Sequence, residues 1–476
     1  MNKFVAVIAL ISMATFSPTA AWAVGSGGLE NASFSAQQLG LGGTGTATPD
    51  EPAAISYNPA GIVDLPGIQL QSNANFISLM TFKDNNVTGD TRSSGTLSLV
   101  PTAYLTINPG KIFCDRLAFG IGSDSPFGLM NKYNSNDPAR RSQKWRNYLK
   151  MYTLKPTIAF KATDWLNIGG GPMWYRVYDF GGIQAYPNNL VTLDSSVPVF
   201  LRQNMPDGQI RINTSGNHWG WQMGLLAKLK EKHRFGYYFR SPVVVTAKGR
   251  VKVENANVPS GFPFGGAGLH HFETGVHTKI NFPMNMTWAY AYQASPKTHY
   301  EADFSWTRWS TMKRTYFVND PTGNNYDDAI LNAVRSADKD WRNGYGIHLG
   351  ASHKLTEKLT LRGGSWFYWT PIPKTHFTPS IADANHLALS IGLGYKVNKY
   401  LNADLCYYNS FYFRRRIDNS IAEHASLINS SVDGRYSSYS QAFTISMTLK
   451  WDDIFPRAFK GETAEAPSIE INPAGK

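Results

Sequence analysis

The sequence predicts an all-β protein, a fourteen-stranded antiparallel β-barrel that crosses a membrane. Three observations lead to this prediction: apolar and polar residues alternate along many segments, long and short connections between these segments also alternate, and the chain begins with a secretory leader. A length of 476 residues would ordinarily suggest about three globular domains. The composition favours a barrel instead, because only 17% of the residues are charged while 13% are aromatic and 42 are glycine.

Residues 1–23 have the features of a signal peptide. Lys3 supplies the positive start, residues 4–16 form an almost wholly apolar run, and Ala21-Trp22-Ala23 offers small residues at both positions of an A-x-A cleavage site. The apolar run is too short to cross a hydrocarbon layer of ~30 Å, which needs ~20 helical residues. We therefore expect a cleaved signal peptide, and a mature chain that leaves the cytoplasm.

Residues 24–66 do not alternate and are rich in Gly, Ala, Ser and Thr. The glycine-rich run at 40–45 is not followed by the Gly-Lys-Ser/Thr of a P-loop and no strand precedes it, so it does not predict a phosphate site. The small residues and the turn-forming Asn58-Pro59 favour a compact segment that folds inside the barrel. A disordered external tail is the alternative.

Alternation with a period of two is clearest in residues 154–161, 300–307, 387–397 and 443–451. In residues 300–307, for example, Tyr300, Ala302, Phe304 and Trp306 share one sheet face, and Glu301, Asp303, Ser305 and Thr307 share the other. A soluble β-sandwich would alternate in the same way, so this pattern alone does not distinguish the two folds.

The connections between strands favour the barrel. The predicted strands lie near 67–82, 96–108, 115–127, 150–162, 165–181, 210–230, 233–254, 271–294, 298–312, 342–355, 358–370, 387–397, 400–413 and 439–451. Long and short links alternate between them, as do the outer loops and tight periplasmic turns of outer-membrane barrels, whereas a sandwich has no reason to sort its loops by end. We expect a barrel over 67–451, a bend or bulge at Pro283, and a mobile periplasmic tail over 452–476.

The sequence also resembles a known family. Ser35, Ala36 and residues 40–47, followed by Tyr57-Asn58-Pro59-Ala60-Gly61, are similar to the N-terminal hatch of the FadL-like outer-membrane transporters of long-chain fatty acids and other hydrophobic compounds. Further similarities are Pro126-Phe127-Gly128-Leu129, Phe239-Arg240-Ser241-Pro242-Val243, residues 359–364 and Thr370-Pro371-Ile372-Pro373. Together they cover about residues 30–451.

The resemblance implies a barrel plugged by a hatch over residues 24–66, with the hatch motif at Asn58, Pro59 and Ala60. It implies that a hydrophobic ligand is held in an apolar pocket inside the barrel and leaves sideways through a gap at a kinked third strand. Carried onto this chain, the lateral-opening residues are Gly120, Gly122, Pro126, Phe127 and Gly128, where the two glycines are expected to give a permissive backbone. The ligand would be a fatty acid or a related hydrophobic compound.

A ligand carboxylate would need a basic partner inside the barrel. By alternation, the basic residues that face the lumen are Lys155, Lys161, Arg362, Lys396 and Lys450. Lys155 and Arg362 are the headgroup candidates. For each basic residue the alternative is a structural charge, paired with an interior carboxylate such as Glu301 or Asp303.

The net charge of +12 includes two basic loops, residues 140–146 and Arg414-Arg415-Arg416. A leader and a barrel argue against a nucleic-acid partner, so we expect none. Facing outward, these loops would bind lipopolysaccharide phosphates or remain solvated. The expected partners are therefore a hydrophobic small molecule, outer-membrane lipid and lipopolysaccharide, bound to a monomer.

No group of residues predicts catalysis, a metal or a cofactor. His270 and His271 are adjacent, but the histidines have no zinc-ligand spacing. Cys114 and Cys406 belong to strands that are not neighbours, so we expect no disulfide. A transporter of hydrophobic compounds is thus the main interpretation. A polar-solute porin is the alternative, and an outer-membrane enzyme such as a lipase is a third hypothesis.

Overall fold

The computed structural model describes residues 27–84, 90–93, 96–110, 116–133, 144–186, 208–257, 269–334, 336–418 and 433–451. The predicted signal peptide and the predicted C-terminal tail lie outside these residues.

Fourteen antiparallel strands form one closed barrel, as the sequence predicts. The strands are β1 Gly67–Asp84, β2 Thr96–Asn108, β3 Leu117–Asp124 with Leu129–Lys132, β4 Lys144–Lys161, β5 Leu166–Tyr186, β6 Gly208–Leu229, β7 His233–Arg240 with Val243–Asn257, β8 Leu269–Phe282 with Asn285–Ser295, β9 Thr298–Thr307, β10 Gly344–Lys354, β11 Leu359–Trp369, β12 His386–Lys396, β13 Leu401–Tyr412 and β14 Gly434–Lys450. β14 pairs with β1, with Leu449 opposite Leu70, and this ladder closes the sheet. Below, the outer end of the barrel is the end that carries the long connections.

The alternation of side chains between the two faces is confirmed. In β9, Tyr300 and Phe304 are 53% and 40% exposed, whereas Glu301 and Asp303 are 3% and 4% exposed. Because the outward residues are aromatic or aliphatic, the outer wall can face lipid, while the polar residues of the same strands face the interior. Trp451 follows the last strand, and its backbone N–H donates to the carbonyl of Ile68 over 2.9 Å.

Several strands extend further toward the outer end than the sequence predicts. β4 begins at Lys144 rather than near 150, and β14 begins at Gly434 rather than near 439. These extensions are paired: Lys144 lies opposite Gln184, and Gly434 lies opposite Ile417 of the loop strand Arg415–Ile417. The predictions stopped short because the added residues, mostly Ser, Tyr and charged side chains, have no apolar alternation.

Three strands are interrupted. β7 breaks at Ser241-Pro242, β8 breaks at Pro283-Met284, and β3 breaks over residues 125–128. The bend predicted at Pro283 is confirmed; proline has no N–H to donate to a neighbouring strand. The breaks of β7 and β8 lie side by side, since Arg240 is opposite Asn285 and Val243 is opposite Phe282.

The long connection between β9 and β10 contains secondary structure of its own. Its elements are the 3₁₀ helix Trp309–Thr311, the strand Arg314–Asn319, helix α2 Asn325–Val334 and the strand Ser336–Asp338. Other short strands and 3₁₀ helices are Thr91–Arg92, Arg415–Ile417 and Lys374–His376. Within the described ranges, no helix combines the length and the apolar character that a membrane crossing would require.

Residues 27–66, here called the N-terminal segment, are buried against the inward faces of the strands. They contain helix α1 Ala36–Gly40 and the 3₁₀ helices Pro52–Ser56 and Pro59–Asp64. The Oγ of Ser35 accepts from the N–H of Gln38, and the Oδ1 of Asn58 accepts from the N–H of Ala60, so a polar side chain caps two of the three helices.

Glycine lets the N-terminal segment approach the wall closely. Gly42 has a φ of +71°, a left-handed conformation, and a Cβ added at Gly364 of β11 would lie 2.3 Å from the backbone nitrogen of Gly42. Any larger residue at 364 must therefore push the segment away from the wall.

The variant Gly364→Ala should destabilise the docked N-terminal segment by ~1–3 kcal/mol, the usual cost of overpacking. Hydrogen exchange of residues 40–48 in detergent would measure the change. The matched control is Gly363→Ala, because a Cβ added there meets no atom closer than 4.0 Å. Equal exchange rates in the two variants would contradict this account.

Candidate functional site

A cluster of buried apolar side chains fills the barrel between the N-terminal segment and the outer loops. We call it the lumenal apolar cluster. Its members are Leu29, Phe127, Leu149, Met151, Met173, Tyr175, Val177, Val243, Val245, Ala247, Ile280, Phe282, Trp309, Met312, Trp341 and Ile372. The cluster draws on β4, β5, β7 and β8, on the N-terminal segment, and on the connections after β9 and β11. An interior of this kind differs from the polar, water-filled lumen of a porin.

The aromatic residues of the cluster are packed against one another. The rings of Phe127 and Phe282 are stacked with centroids 4.8 Å apart, and Trp309 meets Phe127 edge-on at 5.9 Å and Trp341 at 5.1 Å. Three flexible methionines share the cluster, a residue type that adapts to guests of different shape. Such walls can bind a hydrophobic molecule, gaining ~0.8 kcal/mol per buried methylene.

Three polar atoms in the cluster have no hydrogen-bond partner among the described residues. They are the hydroxyl of Tyr175 and the Nε1 atoms of Trp309 and Trp341. Buried polar groups are generally hydrogen-bonded, and each unpaired group costs ~1–3 kcal/mol. The cluster can thus offer a ligand hydrogen bonds as well as apolar surface.

The interruption of β3 turns inward and bonds to the N-terminal segment. Residues 125–128 are all buried, and the ring of Phe127 enters the lumenal apolar cluster. The carbonyl of Pro126 accepts from the N–H of Asn31, and the N–H of Gly128 donates to the carbonyl of Leu29, both over 2.9 Å. The backbone groups that leave the wall ladder here are therefore satisfied from inside the barrel.

Next to this interruption, the wall between β2 and β3 is only partly paired. β2 pairs with β1 over residues 96–108, but with β3 only over residues 103–107. On the inner side, the N-terminal segment covers the unpaired stretch: the hydroxyl of Thr102 donates to the carbonyl of Phe34 over 2.8 Å. Within the described residues, the outer half of this seam has no continuous backbone ladder, and a single bridge joins Ser93 to Tyr133.

Gly120 and Gly122 lie outside the interruption. Both are in the regular part of β3, opposite Thr106 and Tyr104 of β2. A Cβ at either position would come within 3 Å of Ile55 in the N-terminal segment. The predicted reason for these glycines, a permissive backbone at the kink, is therefore wrong; their small size makes room for Ile55, and the kink itself is formed by residues 125–128.

The hatch-motif residues Asn58, Pro59 and Ala60 are fully buried. The side-chain amide of Asn58 donates to the carbonyl of Thr46 over 2.6 Å and to the carbonyl of Leu225 in β6 over 2.9 Å. One side chain thus caps a helix, holds the N-terminal segment together and attaches it to the wall.

The lumenal basic residues have partners other than those predicted. Lys155 forms an ion pair with Asp124, and Arg362 pairs with Asp404 over 2.7 Å and also donates to Gln37. Lys161 approaches Asp64 at 3.7 Å, and Lys396 and Lys450 lie at strand ends with their side chains partly or fully exposed.

Lys155 and Arg362 are thus structural charges paired with interior carboxylates, but Glu301 and Asp303, the two carboxylates suggested as examples, are not among their partners. Glu301 accepts from the backbone N–H groups of Gly45 and Ala47 over 3.1 and 2.7 Å, and Asp303 accepts from that of Thr46 over 3.3 Å. A period of two gives the face of a side chain but not its neighbour on that face.

Arg240 is a site residue that the sequence reasoning missed. It is 3% exposed, and its guanidinium donates to Glu30 of the N-terminal segment over 2.6 Å and lies 4.5 Å from the ring centroid of Phe127. Glu30 also accepts from Thr307 over 3.0 Å. The sequence did indicate a buried position for Arg240, because alternation with Tyr238 places it on the inward face, directly before Ser241-Pro242.

A cavity of about 70 Å³, lined by both polar and apolar groups, adjoins Arg240. Glu30, Asp303 and His348 contribute to its lining, together with Tyr57 and Gln38. This volume is large enough for several water molecules, and it has enough polar groups to bind them. Arg240 therefore lies between an apolar region that holds Phe127 and a polar region beside the N-terminal segment.

The outer basic loops are only partly available to a ligand. The guanidinium of Arg415 donates to the carbonyls of Asp383 and Ile372 over 2.7 and 2.9 Å, so it stabilises the loop around it. Arg416 is exposed near Asp418, whereas residues 140–143 and Cys114 lie outside the described residues. Cys406 is buried with a free thiol.

Glu51 joins the N-terminal segment to β1 without a basic partner within 4 Å among the described residues. Its carboxyl accepts from Ser35, from Gln71 over 2.5 Å and from Tyr57 over 3.0 Å. Burial, which disfavours the charged form, raises the pKa of Glu51 from 4.5 to about 7. The stabilisation from this carboxyl is full below its unfolded pKa near 4.5 and is lost as the pH rises through about 7.

We expect the hydrogen-exchange protection factors of residues 51–57 to fall by about two orders of magnitude between pH 4.5 and pH 8. Glu51→Gln should abolish most of this fall, because the amide has no proton to lose. Asp50→Asn, at the exposed neighbouring position, is the control and should behave as the wild type. A Gln variant that keeps the pH dependence would show that another group causes it.

Comparison with known proteins agrees with this geometry. A family model described as outer membrane protein transport protein (OMPP1/FadL/TodX) matches residues 17–451. A long-chain fatty acid transport protein of Escherichia coli O6:H1 is 26% identical over 423 residues, covering 84% of this chain and 88% of the relative. Outer membrane protein P1 of Haemophilus influenzae is 23% identical over 423 residues, covering 80% and 86%.

Two solved structures share the fold. A Pseudomonas aeruginosa FadL homologue aligns with a TM-score of 0.71 at 18% identity, covering 89% of this chain and 99% of its own. The toluene transporter TodX of P. putida aligns with a TM-score of 0.64 at 15% identity, covering 90% and 99%. The chain belongs to the OMPP1/FadL/TodX family of transport proteins and lies in the outer membrane.

Proposed function

We propose that this barrel, as a monomer, carries fatty acids or related hydrophobic compounds across the outer membrane and binds them in the lumenal apolar cluster. The observation that carries the proposal is the apolar interior itself, with buried residues from four strands and the outer loops. Relatives named for long-chain fatty acid transport and for toluene transport give the class of compound. A polar solute would gain nothing from such an interior, which argues against the porin alternative.

The N-terminal segment acts as the hatch that closes the lumen. Its burial and its contacts with inward-facing residues on both sides of the barrel support this role: Ala36 bonds to Ser446 of β14, and Ala47 bonds to Glu301 of β9. Asn58 holds it to Leu225 of β6, Pro59 packs against Gly224 of β6, and Ala60 packs against Gly169 of β5.

Ligand leaves sideways, between β2 and β3. The interruption at Pro126, Phe127 and Gly128 and the unpaired seam beside it support this exit, because a continuous ladder would seal the wall. A lateral exit spares the ligand a return to water, which would cost ~0.8 kcal/mol per methylene. The side chains of Phe127 and Phe34 move aside when ligand passes.

For a ligand with a carboxylate, Arg240 is a third headgroup candidate beside Lys155 and Arg362. Its guanidinium lies against Phe127 of the lumenal apolar cluster, whereas Lys155 contacts Asp124 and Ser56, and Arg362 contacts Asp404 and Gln37. A carboxylate in the cluster would therefore reach Arg240 with its chain already in apolar surroundings.

The variant Met173→Gln tests the binding site. It places an amide of similar size among apolar groups, so we expect about tenfold weaker uptake of the preferred compound, measured with radiolabelled oleate and toluene in cells lacking other such transporters. Met223→Gln, on the outward side of β6, is the control and should retain uptake. Equal uptake by both variants would mean that ligand does not pass through the cluster.

Deleting residues 24–66 tests the hatch. Single-channel conductance in a planar bilayer should rise from near zero to that of an open pore, provided that heat-modified electrophoresis shows a folded barrel. An unchanged conductance would mean that this segment never blocked the lumen, and a high conductance of the intact protein would favour a porin.

Photocrosslinking tests the exit. Leu99 faces outward beside the seam and Leu389 faces outward on β12, and both are exposed. A benzophenone amino acid at position 99 should capture radiolabelled fatty acid during uptake well above the background at position 389. Equal labelling at the two positions would argue against an exit between β2 and β3.

A further inference from the structure

The outer ends of β6, β7 and β8 carry a strongly basic surface. β6 has 22 residues, and the outer parts of β7 and β8 alone have 15 and 14. A tilted strand needs ~9–11 residues to cross a bilayer, so these strands project well beyond the hydrocarbon layer. Arg211, Lys248, Arg250, Lys252 and Lys279 are all exposed on the outward face of this projection, and we call them the basic face.

The sheet register places these side chains close together. Arg211 lies opposite Lys252, Asn213 lies opposite Arg250, and Thr246 lies opposite Lys279. The alternate residues of the same strands, such as Ile212, Val251 and Val276, are buried in an apolar cluster behind the sheet. The basic face is therefore held by a rigid, packed sheet rather than by a loop.

The acidic residues nearby do not neutralise it. Glu273 pairs with Arg250 over 3.0 Å, and Glu254 pairs with Lys252 over 2.6 Å. Among the described residues, Arg211, Lys248 and Lys279 have no acidic partner within 4 Å. Two more carboxylates are close: Asp320 lies beside Gly275, which is opposite Arg250, and Asp179 accepts from Asn213 and pairs with Lys150. The five bases and Lys150 thus meet four carboxylates, and the surface retains an excess of positive charge.

A band of exposed tryptophan side chains lies directly beneath the basic face, on its membrane side. Trp219 and Trp221 are 58% and 50% exposed, and Trp174 of β5 lies opposite Trp219. Exposed tryptophan on a barrel marks the level at which lipid tails give way to headgroups. Lys248 lies opposite Ser215, four residues along β6 from Trp219, which is about 13 Å at ~3.3 Å per residue. The basic face therefore begins at headgroup level.

Other sectors of the barrel carry different types of outward-facing residue at their outer ends. The outward residues there include Phe82 of β1 and Phe411 and Phe413 at the end of β13, which are 43%, 46% and 52% exposed. Exposed arginines are present there as well, namely Arg92, Arg416 and Arg435, but exposed acidic residues accompany them, with Asp84 opposite Arg435 and Asp418 beside Arg416.

We propose that the basic face binds the phosphate groups of one or more lipopolysaccharide molecules in the outer leaflet. Guanidinium and ammonium groups bind phosphate through charge-assisted hydrogen bonds, and the tryptophans beneath would contact the acyl chains. The site lies on the outer wall, apart from the lumenal cluster, so it does not depend on the proposed transport function. We propose this lipopolysaccharide site in place of the loop Arg414-Arg415-Arg416, because the guanidinium of Arg415 already donates to carbonyls of the loops around it.

The test compares two sets of charge-removing substitutions on one barrel. The first combines Arg211→Gln, Lys248→Gln and Lys252→Gln on the basic face. The second combines Lys230→Gln, Lys232→Gln and Lys297→Gln, which are exposed at the opposite, periplasmic end. Native mass spectrometry at matched protein concentration would count the lipopolysaccharide molecules retained, and titration of purified lipopolysaccharide at 150 mM salt would give the affinity.

The basic-face variant should bind lipopolysaccharide at least tenfold more weakly than the wild type, and the periplasmic variant should bind it equally well. Lipopolysaccharide treated with phosphatase should bind weakly to all three proteins. Heat-modified electrophoresis and uptake of the transported compound, both expected to be unchanged, show that the barrel is intact. An unchanged affinity of the basic-face variant, equal losses in both variants, or an equal affinity of the wild type for phosphatidylglycerol vesicles would overturn the proposal.

Discussion

Backbone pairing in lipid is the constraint on which the rest of this structure depends. A bilayer offers no water to hydrogen-bond with backbone N–H and C=O groups, so a sheet that crosses it must close on itself. Here β14 pairs with β1 along residues 69–84. Where β3 leaves the ladder, the N-terminal segment provides the missing bonds through Asn31 and Leu29. The interruption in the wall and the segment inside the barrel are therefore joined, because each satisfies backbone groups of the other.

The interior of the barrel has one apolar region and one polar region. Toward the outer end it is apolar, with stacked aromatic rings and methionines, and beside the N-terminal segment it is polar, with buried carboxylates that accept from backbone N–H groups. Arg240 lies between the two regions and contacts both Glu30 and Phe127. Removing one partner of a buried ion pair typically costs ~3–5 kcal/mol, so the conformations of the segment and of the β3 interruption are energetically linked.

The sequence alone was sufficient for the face of each strand and the strand count, because lipid imposes a strict period of two. It also located the break at Pro283, where a missing N–H is visible in the sequence. It could not predict which side chains are neighbours on one face of the sheet. Lys155 pairs with Asp124 and Arg362 pairs with Asp404 because of the register between strands, which no single segment encodes. The outer extensions of β4 and β14 were missed because their residues do not alternate between apolar and polar types, although Tyr148 and Tyr436 are buried. The role of Gly120 and Gly122 depended on Ile55, which is distant in the sequence.

The contact between Ala36 and Ser446 has a consequence for biogenesis. These residues are 410 positions apart, so the N-terminal segment must wait for the last strand before its bonds are complete. Contacts over such separations form slowly, because the chain entropy of a very large loop must be overcome first. Docking of the segment is therefore complete only in a nearly finished cylinder, and until then its buried polar groups, such as the N–H of Ala36, lack their partners on the last strand.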